Sequence, residues 1–133
     1  MTRHESRCEA FLLLFEYSFG GEIGEINEIM ENAVEYREET ISSFAKELFT
    51  GSVEHLAEID ARIAEFAEKR SFDRIAKVPL SCMRLAVYEL LYTDTPSEII
   101  VNEALDICRE FNCDDSVSYV NGVLAKVSAS RNA

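Results

Sequence analysis

Between Leu80 and Tyr92 the apolar residues Leu80, Met83, Val87, Leu90 and Leu91 recur at steps of three and four, and Ala86 and Tyr88 widen the stripe beyond half the circumference. This pattern predicts a central helix, buried almost all round and so surrounded by others. Its remaining polar residues, Arg84 and Glu89, need partners in such a place. Near the start of the chain, Cys8, Phe11, Leu12, Phe15 and Phe19 mark one apolar face of a first helix, with Arg3 and Arg7 on the other side. Thr2-Arg3-His4-Glu5 has the form of a capping box that begins this helix, and Gly20-Gly21 is placed to end it. Ile41, Phe44, Leu48, Ser52, Leu56, Ile59, Ile63 and Phe66 then hold the helical period. They predict one helix of about seven turns, with Gly51 the point of expected disturbance.

The punctuation between these runs supplies the rest of the layout. Phe72 to Ala76 reads as a short turn or helix, after which Pro79 is expected to open the central helix at a position that needs no amide donor. Thr95-Pro96-Ser97-Glu98 has the form of a second capping box, with Pro96 in the first helical position; Ile100, Ala104, Ile107 and Phe111 give the buried face, and Asn112 is the expected terminator. Asp114, Asp115 and Ser116 offer caps for a last helix whose stripe is Val117, Val120, Leu124 and Val127. Gly122 in mid-helix costs about 1 kcal/mol relative to Ala, so close approach of a neighbouring helix is expected there. No segment reads as a strand. The fold class predicted is all-α, in a single domain covering residues 1–133.

Composition narrows the chemistry. At 133 residues the chain is large enough to bury a real core, and its 25 acidic residues against 13 basic ones argue against a nonspecific polyanion binder. Seven of the acids fall between Glu22 and Glu39, where Ile26, Ile29, Met30, Ala33 and Val34 keep the helical period; a solvated outer face is favoured over a carboxylate or metal cluster. Six of the thirteen basic residues lie in the 23 positions from Arg62 to Arg84. That segment suits a partner or phosphate surface, but Glu65, Glu68 and Asp73 are interleaved and make a mixed solvated face equally acceptable. Cys8, Cys82, Cys108 and Cys113 form no Cys-x-x-Cys pair, so neither a zinc site nor any other cofactor is expected. No phosphate loop, nucleophile elbow or catalytic His pair occurs, and no apolar run suits a membrane span; a reduced, cytoplasmic protein is the economical reading. For Arg84, Glu89, Asn102, Glu103 and Asn121, a polar network tying three helices together is favoured over a ligand site.

Several of these stretches resemble one family. Met83-Arg84, Tyr88-Glu89-Leu90, Asn102-Glu103-Ala104 and Val120-Asn121-Gly122-Val123-Leu124, at these separations, closely resemble the NusB family of bacterial transcription antitermination factors. The likeness is best from about Asp73 to Val127 and returns at Arg3, Arg7, Ala10, Leu14 and Phe15. It implies about seven helices in two small bundles packed side by side, and no enzymatic activity. It further implies action with NusE, a ribosomal protein of the small subunit, in binding the single-stranded boxA element of nascent ribosomal RNA and helping RNA polymerase resist termination within an antitermination complex.

Carried over by position, the family's RNA-contacting residues fall on Arg3, His4 and Arg7 and on Asp115, Ser116 and Tyr119, which would supply charge, hydrogen bonds and an aromatic face. The NusE-facing surface would fall on Asp73, Lys77 and Leu80. Glu5 and Glu9 interrupt the basic motif, and Pro79 stands where the family often has an acid. The competing readings are a freestanding accessory domain, related to the helical domain of ribosomal-RNA methyltransferases, and a homodimeric scaffold that masks its RNA face.

Overall fold

Helix α1 (Arg3–Tyr17) begins as the capping box requires: the Thr2 hydroxyl accepts from the Glu5 amide at 3.1 Å and the Glu5 carboxylate accepts from the Thr2 amide at 3.3 Å. A computed structural model describes residues 2–19, 41–67 and 71–131. Among these, α1 is followed by α2 (Ser43–Glu54), α3 (Leu56–Phe66), a 3-10 turn (Phe72–Arg74), α4 (Lys77–Tyr92), α5 (Ser97–Glu110), a second 3-10 turn (Asp114–Ser116) and α6 (Val117–Arg131). These six helices, with no strand among the described residues, agree with the all-α expectation. The acidic segment Glu22–Glu39 and the Gly20-Gly21 terminator lie outside the described residues.

Helix α4 is the axis of the molecule. Every residue from Pro79 to Leu90 is buried, and α4 packs against each of the other five helices. Met83 and Val87 have no exposed surface, so the sequence expectation of an enclosed central helix holds. The helix starts two residues before Pro79, which therefore stands third rather than first. The consequence is the same, because the amide that Pro lacks would have no partner anywhere in the first turn.

The predicted seven-turn helix is two helices, and the break falls at His55 rather than at Gly51. At His55 the backbone leaves helical geometry (φ −106°, ψ 19°). The reason is tertiary: α2 packs on α1 and α4, whereas α3 packs on α4 and α6, and one straight rod cannot lie along both sides of α4. The His55 ring fills the corner, stacked on Tyr92 with centroids 4.0 Å apart. Gly51 stays helical and serves packing instead. The Tyr88 ring lies where its side chain would be, so a Cβ at Gly51 would overlap that ring.

Four further expectations are corrected. The buried face of α1 carries Ala10, Phe11, Leu13, Leu14 and Tyr17, while Phe19 is 63% exposed. Leu12-Leu13-Leu14 leaves the facing ambiguous in sequence, and packing against both α2 and α4 turns the helix so that Arg7 is inside. Pro96 caps α5 from outside the helix and makes no side-chain cap bond; in place of a second capping box, Arg131 donates to Thr95 O at 2.7 Å and Ser97 Oγ at 3.0 Å. Asp114 to Ser116 form a 3-10 turn leading directly into α6. Gly122 is exposed, and nothing lies within 4 Å of where its Cβ would be, so no helix approaches it. Asn112 does terminate α5. Its positive φ of 61° closes the turn in which the Cys113 amide donates to Cys108 O at 2.8 Å.

Candidate nucleic-acid interface

The expected polar network is three separate pairings, each joining a different pair of helices. On α4, Glu89 takes the guanidinium of Arg7 from α1, with Nε at 3.2 and 3.1 Å from its two oxygens and Nη2 at 3.0 Å from Oε1. Both residues are buried, so each satisfies a charge that would otherwise be costly inside the core. Arg84, also on α4, makes a fork-to-fork pair with Asp60 of α3, at 2.9 Å for both bonds. Asn102 and Asn121 are exposed and belong to neither pair.

The third pairing lies on the rim, where α1 meets the C-terminal half of α5. His4 Nδ1 donates to Glu103 Oε2 at 2.5 Å, and Nε2 lies 2.8 Å from Glu110 Oε2. Cys8, one turn further along α1, donates its thiol to the same Glu110 oxygen at 3.2 Å and lies 3.5 Å from His4 Nε2. The Glu103 hydrogen bond raises the His4 pKa, opposed by partial burial and reinforced by Glu110. Burial, followed by the Glu110 contact, pushes the Cys8 thiol up to about 12, while Cys8 and His4 together hold Glu110 below its ordinary value.

The six residues proposed from the resemblance for RNA therefore stand in different situations. Arg3 is exposed, its guanidinium 4.0 Å above the Phe44 ring, beside Ser6, Ser42 and Ser43 in a shallow groove. His4 is half-buried between two carboxylates, and Arg7 is inside, bound to Glu89. Just beyond the C-terminal end of α5, the turn after Asn112 carries exposed Asp115 and half-buried Ser116, and Tyr119 packs against the core. For the partner surface, Asp73 and Lys77 are exposed, while Leu80 is buried. Lys77 Nζ donates to Ser18 O at 3.2 Å and sits 3.8 Å over the exposed Phe19 ring.

The sequence profile of the NusB family matches residues 4–129, nearly the whole of this arrangement. The chain belongs to the NusB family. It is 38% identical over 128 residues to the transcription antitermination protein NusB of Lysinibacillus sphaericus, covering 95% of this chain and 96% of that one. It is 41% identical over 111 residues to the NusB of a Geobacter species, covering 78% and 77%. Among solved structures it is similar to NusB of T. maritima, at 30% identity and a TM-score of 0.82 over 97% of this chain and 92% of that one. It is similar also to a chain of the antitermination factors NusB and NusE crystallised with double-stranded RNA, at 27% identity and a TM-score of 0.82, covering 98% and 99%.

Sequence reasoning missed two groupings in this NusB-family chain. The thiols of Cys82, Cys108 and Cys113, from α4, α5 and the turn after it, lie within 4.8 Å of one another, as do the ligand atoms of His4, Cys8 and Glu110. Spacing along the chain cannot show the first, which joins separate elements. The second had a local signal in the i,i+4 pair His4 and Cys8 on one helix face. Among the described residues, no helix is long and apolar enough to cross a membrane.

Proposed function

We propose that this chain is a transcription antitermination factor that pairs with a NusE subunit to hold the boxA element of nascent ribosomal RNA and help RNA polymerase resist termination. The observation that carries this reading is the near end-to-end similarity to a NusB chain crystallised with NusE and RNA. The proposed RNA face joins the start of α1 to the start of α6. Arg3 meets phosphate, Asp115 and Ser116 offer hydrogen bonds, and the Tyr119 edge receives a base. His4 and Arg7 shape this face, because both are held by carboxylates and present little charge to solvent. Asp73 and Lys77 form the partner side, and Leu80 is buried. No step of this function calls for a catalytic residue.

Electrostatics supports a shared rather than a solitary RNA site. The chain has a formal net charge of −12, and each phosphate neutralised on a single strand contributes a salt slope of only about 0.7. A basic partner can supply the missing positive charge. The test is to mix the chain, NusE and a boxA RNA on a sizing column and repeat the binding across a salt series, with an RNA duplex as a second ligand. The expected result is binding by the heterodimer at physiological salt and weak binding by the chain alone. In the heterodimer, Arg3→Glu should lower the salt slope, and Tyr119→Ala should weaken binding by about 1–3 kcal/mol at constant slope. Absence of RNA binding in the complex, or tight and steeply salt-dependent binding by the isolated chain, would overturn the reading.

A further inference from the structure

The cluster on the rim between α1 and α5 has the parts of a metal centre. His4 and Cys8 stand one helical turn apart and project to the same side of α1, and Glu110 reaches across from the last turn of α5. Their ligand atoms already converge: Nε2 to Oε2 at 2.8 Å, Sγ to Oε2 at 3.2 Å and Sγ to Nε2 at 3.5 Å. A tetrahedral zinc ion bound at its usual distances to N, O and S sets these edges at about 3.4–3.6 Å. Only Glu110 has to withdraw, by a few tenths of an ångström, and its side chain is half exposed.

A second, independent feature points the same way. Glu103 accepts from His4 Nδ1, which fixes the ring and aims Nε2 at Cys8 and Glu110. A carboxylate on the far nitrogen of a ligating histidine is the usual support of a zinc-bound imidazole. The surrounding charge is also of the right sign, since the carboxylates of Glu5, Glu103 and Glu110 all act on Cys8 and would offset the charge of a bound cation. Three protein ligands from two helices leave one position to solvent.

We propose that His4, Cys8 and Glu110 bind a borderline-soft divalent cation of the zinc class, with Glu103 as the positioning residue for His4. Binding releases the Cys8 thiol proton and any proton on His4 Nε2 to solvent. The ion clamps the first turns of α1 to the last turn of α5. The site takes no ligand from RNA or from a protein partner, so although His4 also borders the proposed RNA face, the metal site stands or falls separately from the antitermination reading.

The test is a titration of the full, untagged, chelator-treated and reduced chain with Co²⁺, followed by displacement with Zn²⁺. One equivalent of Co²⁺ should give tetrahedral visible bands and a near-ultraviolet thiolate-to-cobalt band, both abolished by Zn²⁺. Cys8→Ser should remove the thiolate band, and Glu110→Gln should weaken binding at least about tenfold. Glu103→Gln should weaken it about 10- to 100-fold with the spectrum retained, which loss of a direct ligand would not do. Zn²⁺ should raise the melting temperature of the parent chain but not of Cys8→Ser. The buried thiols Cys82, Cys108 and Cys113 are the competing site, so Cys108→Ser should leave the spectrum intact. A thiolate band that survives Cys8→Ser, or no cobalt binding by a chain that circular dichroism shows to be folded, would overturn the proposal.

Discussion

Helix α1 meets glutamate in two places only three residues apart, and the two meetings have opposite physical character. Arg7 faces the central helix and is held by Glu89, with side-chain exposures of 6% and 2%; His4 faces α5 and is held by Glu103 and Glu110, with 31%, 24% and 51%. The same contrast holds for two glycines. Gly51 faces the central helix with the Tyr88 ring against its backbone, while Gly122 lies on the outer side of α6 with open space where a side chain would go. At Arg7 and Gly51 the contact with α4 is dry and tightly confined, whereas His4 and Gly122, turned away from α4, lie where the surroundings are wet and adjustable. The energetic weight of a residue here follows from which helix passes over it, and its chemical type comes second.

The largest effect should come from the inner pair. Arg7→Met leaves the buried Glu89 carboxylate uncompensated and should cost about 3–5 kcal/mol in urea denaturation. Adding Glu89→Leu should recover most of that loss; a double variant as unstable as the single one would mean that packing, not stranded charge, sets the cost. Next comes Gly51→Ala, expected to lose about 1–3 kcal/mol because the new methyl overlaps the Tyr88 ring. In a Tyr88→Leu background that penalty should vanish, a coupling that a double-mutant cycle measures directly. At the rim, His4→Ala should cost less than about 1 kcal/mol in metal-free buffer, and the cost should shrink with added salt, unlike that of Arg7→Met. Smallest and of opposite sign, Gly122→Ala should raise stability by about 0.5–1 kcal/mol, since it improves helix propensity and meets no neighbour. A loss at Gly122 would show a close approach that the fold lacks, and would erase the difference between inner and outer glycines.

Much of the architecture is legible from local pattern. The start of α1 at Thr2, the enclosed helix around Met83 and Val87, the stop at Asn112 and the stripe of Val120, Leu124 and Val127 all follow from rules that operate within one or two turns. Such rules cannot say how far a helix runs before the core turns it. The break at His55 arises because α2 and α3 serve opposite sides of α4, and the inward rotation of Arg7 arises because α1 packs on two helices at once.

The candidate sites divide in the same way. The family resemblance singled out Arg3, His4, Arg7 and Tyr119, but not the fact that Glu89 encloses Arg7 or that Glu110 closes a ligand set with His4 and Cys8. The sequence by itself determined most helices and the apolar stripes, because helical periodicity and capping are short-range and leave a trace at every turn, and it determined family membership through particular residues at fixed separations. Only the tertiary structure decided which charge is buried, which glycine is crowded and which cysteine meets a histidine and a carboxylate. Those outcomes depend on contacts between residues about 40 to 100 positions apart, whose geometry is set by how helices pack around α4 and leaves no period in the chain.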